Sequence, residues 1–220
     1  MINEELIMMP TDYDYAFRRI KTSSTGYRKI EATIRFANSI SVDHPASAVY
    51  NYLGCNGSGF DFEFGLGFKP SAGYATVLGL FRSIIVNGQE DWAWIPGYSF
   101  SPGAVYRLLI ATESGYIKCY VYNDSGAQLY YGEFNVPGAR YDGAGQVVRR
   151  VSTLLVPTGL SGHALSNRWT TTLVGTPTTF VNATPSNCIA ENETKPPGQP
   201  WVSVNTYNAY YNEDIDLDIR

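Results

Sequence analysis

Clustered positive charge is missing from this chain. No run of lysine or arginine is longer than two, and the doublets Arg18-Arg19 and Arg149-Arg150 are the densest basic spots. Sixteen basic residues face twenty acidic ones, for a net charge of -4. A nucleic-acid groove needs a concentrated positive field, so nucleic acid is excluded as a partner. An anionic membrane surface is disfavoured on the same ground. Histidine is nearly absent: His44 and His163 are the only two, each beside a proline or glycine, with no nucleophile-elbow context for a triad. The three cysteines, Cys55, Cys119 and Cys188, stand far apart with no CxxC pair, which argues against a zinc knuckle or a thioredoxin-type site. Their expected state is reduced and buried as small hydrophobes. No stretch of about 20 apolar residues occurs, so no membrane-inserted helix is expected. The N-terminus lacks a basic region followed by an apolar one, so no signal peptide is read there. The expected settings are a virion, the cytoplasm, export without a signal, or the outside after cleavage. No internal repeat and no amphipathic helix of three turns is visible.

What the chain has is aromatic side chains and turn formers. Aromatics make 14% of it, with 17 tyrosines, and 21 glycines and 12 prolines suit many tight turns. Between Gly26 and Pro157 the pattern is a series of short alternating strands. Its centre is the run from Gly59 to Phe68. Phe60, Phe62, Phe64, Leu66 and Phe68 recur at period two, which puts them on one face and Asp61, Glu63, Gly65 and Gly67 on the other. Tyr27 to Phe36, Ala48 to Leu53 and Tyr74 to Val86, the last broken near Gly79, read as further strands. Asn87-Gly88 signals a hairpin. Val105 to Thr112, Tyr116 to Asn123 and Gln128 to Val136 read as a meander with turns at Glu113-Ser-Gly115 and Asn123-Asp-Ser-Gly126. Val147 to Val156 alternates again.

This divides the chain into four parts. Residues 1–26 are an N-terminal segment contributing an edge strand, with a short strand at Glu5 to Met9. Residues 27–156 are the β-sandwich core. Residues 157–200 are a Pro/Thr-rich excursion or arm, with one hairpin around Trp169 to Val181. Residues 201–220 supply closing strands of the same domain, Trp201 to Val204 and Asn212 to Ile219. Lys195-Pro-Pro-Gly-Gln-Pro200 cannot enter a sheet interior, because proline has no N–H to donate.

The stretch Tyr106 to Leu129, with its strand, glycine turn, strand and Asn-Asp-Ser-Gly turn, resembles the concanavalin A-like lectin/glucanase superfamily. Tyr27 to Phe36 and Phe60 to Phe68 are similar to earlier inner strands of that fold. The resemblance covers about 130 residues and implies an all-β, antiparallel jelly-roll β-sandwich. That fold hosts lectins, glycosidases, polysaccharide lyases, peptidases and non-catalytic coat or adhesion domains, so it does not choose a function.

Three clusters are candidates for chemistry. Asp61 and Glu63 lie about 7 Å apart on one strand face by strand rise. Paired carboxylates are what glycoside hydrolysis requires. Glucanases of the superfamily carry three alternating acids on one strand; here Gly65 and Gly67 follow instead, which argues against that chemistry. Tyr116, Lys118, Tyr122 and Asn123 are similar to a strand of polysaccharide lyases of this fold, but the uronate-neutralising histidine context is missing. Asp91, Trp92, Trp94 and Tyr98 form the best ligand-binding candidate, because sugars stack their C–H faces on such rings and give their hydroxyls to Asp. Asp214, Asp216 and Asp218 alternate strictly. A structural calcium is the one metal they suggest, although the glycine and distal glutamate of an EF-hand are absent, and no other cofactor is expected. The sequence therefore points to a non-catalytic recognition or structural module that binds a glycan or neighbouring subunits, its own copies included, in a virion, appendage or surface assembly. The alternative is a polysaccharide-degrading enzyme.

Overall fold

The computed structural model describes residues 13–42, 44–71 and 74–220. Sixteen strands and no helix occur among them. In chain order they are β1 (Tyr13–Thr22), β2 (Lys29–Arg35), β3 (Ser39–Ser41), β4 (Ala48–Gly57), β5 (Phe60–Ser71), β6 (Tyr74–Val86), β7 (Gln89–Phe100) and β8 (Val105–Thr112). There follow β9 (Tyr116–Asn123), β10 (Gln128–Asn135), β11 (Val147–Pro157), β12 (Gly162–Gly175), β13 (Phe180–Asn182), β14 (Cys188–Lys195), β15 (Val202–Asn208) and β16 (Asn212–Ile219). A seven-stranded sheet runs β14-β1-β11-β4-β5-β6-β7. A nine-stranded sheet runs β10-β9-β8-β2-β12-β16-β15, with β3 and β13 also paired to β12. All ladders between these strands are antiparallel. The chain is an all-β antiparallel sandwich of jelly-roll type.

Period-two burial builds the core as the sequence predicts. Phe60, Phe62, Phe64, Leu66 and Phe68 all turn inward from β5 and are buried. They meet rings from the other sheet: Phe64 stacks on Tyr130 at 5.5 Å and Phe62 lies 5.7 Å from Phe134. The hairpin at Asn87-Gly88 has both residues at positive φ, 51° and 79°, the combination a two-residue primed turn needs.

Three expectations are corrected. The N-terminal segment supplies an interior strand, because β14 pairs outside β1 and covers its edge. The expected strand at Glu5 to Met9 lies outside the described residues. Residues 157–200 are no arm: β12 is an interior strand of the nine-stranded sheet and β14 the edge of the other, while the Pro-rich stretch after Lys195 stays out of both sheets. Finally, β6 is continuous through Gly79, and the irregularity there belongs to its pairing with β7, whose register shifts between Gly79 and Leu80.

A polar seam crosses the core. Glu213 on β16 is fully buried and accepts from Arg18 Nη2 and Arg150 Nη2, both at 2.5 Å. Trp169 Nε1 donates to Ser152 Oγ at 2.8 Å, Ser152 to Asn51 Oδ1 at 2.5 Å, and Asn51 Nδ2 to Asn167 Oδ1 at 2.7 Å. This seam ties β1, β4 and β11 to β12 and β16. Charges in such a site are tolerated only while paired, since breaking a buried pair costs about 3–5 kcal/mol. Burial pushes the Glu213 carboxyl upward, but Arg150 and Arg18 together hold it below the ordinary carboxylate value.

Candidate functional site

The outer face of the seven-stranded sheet gathers what the sequence scatters. Each strand there turns alternate residues away from the core, and the register aligns them in rows. One row runs Arg149, Gly54, Glu63, Ser83, Trp92. The next runs Val151, Tyr52, Gly65, Phe81, Trp94, and a third contains Tyr50, Gly67 and Gly79. The Asp61/Glu63 and Trp92/Trp94 pairs thus share one surface. Glu63 and Trp92 are two strands apart, about 10 Å by strand spacing.

At one end of this surface sits an ionic cluster. Arg149 Nη2 contacts Asp61 Oδ1 at 2.6 Å and Glu63 Oε1 at 3.1 Å, and its Nη1 donates to Asn56 Oδ1 at 3.0 Å. Gly54 makes this reach feasible: a Cβ there would stand 2.9 Å from the Cζ and Nε of Arg149. Burial pushes the Glu63 carboxyl up to about 7, with Asp61 adding to the rise and Arg149 and the Tyr52 hydroxyl opposing it. Burial also raises the Tyr52 phenol well above its ordinary value, with Glu63 contributing. For Arg149 burial works against the charge, but Asp61 and Glu63 more than restore it. Of the two carboxyls that share the guanidinium, Glu63 is the one whose hold on a proton is raised.

The other end is aromatic. Phe17, Tyr52, Phe81 and Val151 form a small buried cluster on this outer face, flanked by Tyr15, Tyr50 and Trp94. Trp94 lies across two strands on a bed of glycine. A Cβ on Gly67 would stand 2.8 Å from its Cη2, and one on Gly79 would stand 3.3 Å from its Cε3 and Cζ3. Gly67 and Gly79 face each other directly in the ladder, so one bare patch of backbone supports the indole. Trp92, 40% exposed, stands nearly perpendicular to it, at 81° with ring centroids 5.2 Å apart. The two indoles form a floor and a wall.

The other predicted site residues lie elsewhere. Asp91 and Tyr98 are on the opposite side of β7. Asp91 Oδ2 pairs with Arg82 Nη2 at 2.8 Å, and Tyr98 packs edge-on against Tyr130 at 5.0 Å. Parity separates Asp91 from the tryptophans, and the positive φ of Gly97 (85°) accompanies the register shift before Tyr98. Asp214, Asp216 and Asp218 line the outer face of β16. Asp216 Oδ1 accepts the Ser166 N–H at 2.7 Å, and Asp218 pairs with Arg220 at 2.6 Å. Among the described residues no group of three or more His, Cys, Asp or Glu side chains is arranged to hold a metal ion. Sequence reasoning missed Arg149, Tyr52 and Phe81. The alternation of β11 and β4 and the position of Gly54 were the signals available for the first two.

No protein-family model matches the sequence, and no curated protein matches it. Solved structures do resemble it in shape. A scytalido-glutamic peptidase bound to a transition-state analogue inhibitor is similar with TM-score 0.61 at 8% identity, over 93% of this chain and 97% of that one. SCP-B, a member of the eqolisin family of peptidases in complex with the tripeptide Ala-Ile-His, gives 0.54 at 9% identity, over 93% of this chain and 96% of that one. At such identity the likeness establishes the sandwich fold alone.

Proposed function

We propose that this chain is a non-catalytic glycan-recognition module of concanavalin A-like type, with its site on the outer face of the seven-stranded sheet. The observation that carries this reading is the indole corner: Trp94 laid on Gly67 and Gly79, with Trp92 upright beside it. A flat ring backed by backbone is a stacking platform for the C–H face of a pyranose. The perpendicular ring limits how the sugar turns. Asp61, whose side chain stays 25% exposed, is the acceptor left for hydroxyls further along the rows, whereas Glu63 and Ser83 are buried. Arg149 is already engaged by two carboxylates and Asn56, so the cluster favours hydroxyls over an anionic group. The test is tryptophan-fluorescence titration with hexasaccharides of mixed-linkage β-glucan, mannan, xylan and amylose. Trp94→Ala is expected to weaken binding roughly 30-fold, the scale of an anchor worth about 2 kcal/mol. No saturable response to any of the four sugars overturns the reading. Docking of neighbouring subunits in a virion, appendage or surface assembly is the competing use of this face, and self-association that Trp92→Ala abolishes would support it instead.

A second reading, a polysaccharide-degrading enzyme acting through Asp61 and Glu63, draws on the raised Glu63 carboxyl. The two carboxylates share one arginine nitrogen, which holds them close together; retaining glycosidases set their pair about 5–5.5 Å apart. Reducing-sugar release that disappears in Glu63→Gln would establish it. Against it stands Arg149, which occupies both carboxylates at once.

A further inference from the structure

A second aromatic surface lies on the opposite side of the sandwich. Tyr116, Lys118, Tyr120 and Tyr122 alternate outward along β9, and Tyr131 on β10 stands directly across from Tyr120. The Tyr120 and Tyr122 rings are parallel within 8° at 6.1 Å, and Tyr131 lies 4.9 Å from Tyr120. Arg107 on β8 holds its guanidinium 4.1 Å from the Tyr122 ring, and the Lys118 ammonium is 5.6 Å from the Tyr116 ring. Tyr131 is 43% exposed and Leu129 beside it 39%. None of the four tryptophans belongs to this surface: Trp92 and Trp94 sit on the other sheet, and Trp169 and Trp201 are buried.

The charges bordering this ladder cancel locally. Arg107 pairs with Glu31 at 3.5 Å, Arg28 and Lys118 both reach Glu113, at 3.2 and 3.6 Å, and Glu133 accepts from the Tyr131 hydroxyl. An ionic ligand finds no net field here. A ligand rich in hydroxyls finds ring faces interleaved with donors and acceptors. A second copy of the chain fits poorly. A stable dimer needs about 800 Å² per partner, and here that area would take Lys118, Arg107 and Glu133 out of water.

We propose that this tyrosine ladder is a second glycan-binding platform, for a neutral polysaccharide chain, which makes the sandwich bivalent across its thickness. Two platforms on opposite faces cannot serve one short oligosaccharide. They cross-link long chains or raise avidity for a polysaccharide surface. Binding at the ladder stands without the indole corner, whereas the bivalency rests on that proposed site.

The experiment is affinity electrophoresis through gels containing mixed-linkage β-glucan, galactomannan, xyloglucan or amylose, with polygalacturonate as the anionic comparison. Four proteins are run: wild type, Trp92→Ala/Trp94→Ala, Tyr120→Ala/Tyr122→Ala, and Tyr131→Ala. Tyr131→Ala removes a single ring that is 43% exposed and guards against misfolding of the double variant, and far-UV circular dichroism confirms the fold of each. The protein lacking both indoles is expected to remain retarded in at least one neutral gel. Tyr131→Ala is expected to weaken the ladder's share of that retardation at least threefold, and the Tyr120/Tyr122 variant to weaken it at least tenfold while leaving sugar-induced tryptophan quenching intact. Turbidity from mixing wild type with the long polysaccharide should vanish when either platform is removed. The proposal is overturned if the variant without indoles runs freely in all four neutral gels, if only polygalacturonate retards it, or if both tyrosine variants match wild type. A dimer that dissociates on Tyr131→Ala, without retardation in any gel, overturns it in favour of self-association.

Discussion

Replacing Glu63 by glutamine should change how stability responds to pH. In the folded protein this carboxyl is pushed up from an ordinary 4.5 to about 7, first by burial and then by Asp61. The folded state therefore holds the proton more tightly than the unfolded chain. Between those two values the native protein binds more protons, so its stability falls as pH rises. The stabilisation is complete below about pH 4.5 and is lost as pH passes through 7. A shift of this size corresponds to roughly 3 kcal/mol at 1.36 kcal/mol per unit. Glutamine keeps the shape and the contact to Arg149 but has no proton to lose. Urea denaturation of both proteins between pH 4.5 and 8.5 isolates the effect, because every other titrating group is common to the pair. Wild type should lose roughly 3 kcal/mol relative to Glu63→Gln over that range. Parallel pH profiles would refute the reasoning, and so would a wild type that gains stability relative to the variant. Either result would mean that Arg149 keeps both carboxylates ionised.

Other outcomes follow from geometry already described. Gly67→Ala should lift Trp94 off its bed, because the new Cβ would stand 2.8 Å from the indole and 2.7 Å from the Tyr50 ring. It is expected to cost about 1–3 kcal/mol in urea denaturation, whereas Gly79→Ala, with contacts of 3.3 Å, should cost less. Glu213→Ala leaves Arg18 and Arg150 without their shared carboxylate and should cost about 3–5 kcal/mol, read as a fall in Tm of roughly 10 °C. Because those arginines hold the Glu213 carboxyl low, its contribution is present above the ordinary carboxylate range and is lost as pH falls through the folded value. Phe64→Ala, which empties a fully buried site against Tyr130, should cost about 3–5 kcal/mol by thermal unfolding.

Strands with clean alternation were legible in the sequence. β8, β9 and β16 bury alternate residues over most of their length, and β5 turns its large side chains inward at the same period. β12 was legible only in part. Its Thr and Asn residues carry little apolar signal, and Ser166 and Thr171 adopt positive φ (62° and 56°) at irregularities that reset which face each residue takes. β14, Cys188–Lys195, is similarly polar because it lies at an edge. The indole and carboxylate pairs were each visible alone. Their meeting on one face depends on which strands neighbour β5, and local pattern does not carry that. Asp91 and Tyr98 looked like partners of Trp92 because a short window hides both parity and the shift at Gly97.

The two arginine doublets have a consequence for how the strands align. In each, the pleat sends one guanidinium inward to Glu213 and the other outward: Arg18 and Arg150 go in, Arg19 out to Glu191, and Arg149 out to Asp61 and Glu63. A slip of β1 or β11 by a single residue would exchange these roles. It would thrust the wrong cation into the interior and strand carboxylates on the outer face. Adjacent like charges, unremarkable as a sequence feature, thus act as a ratchet that admits one alignment of this sheet and rejects its nearest neighbours.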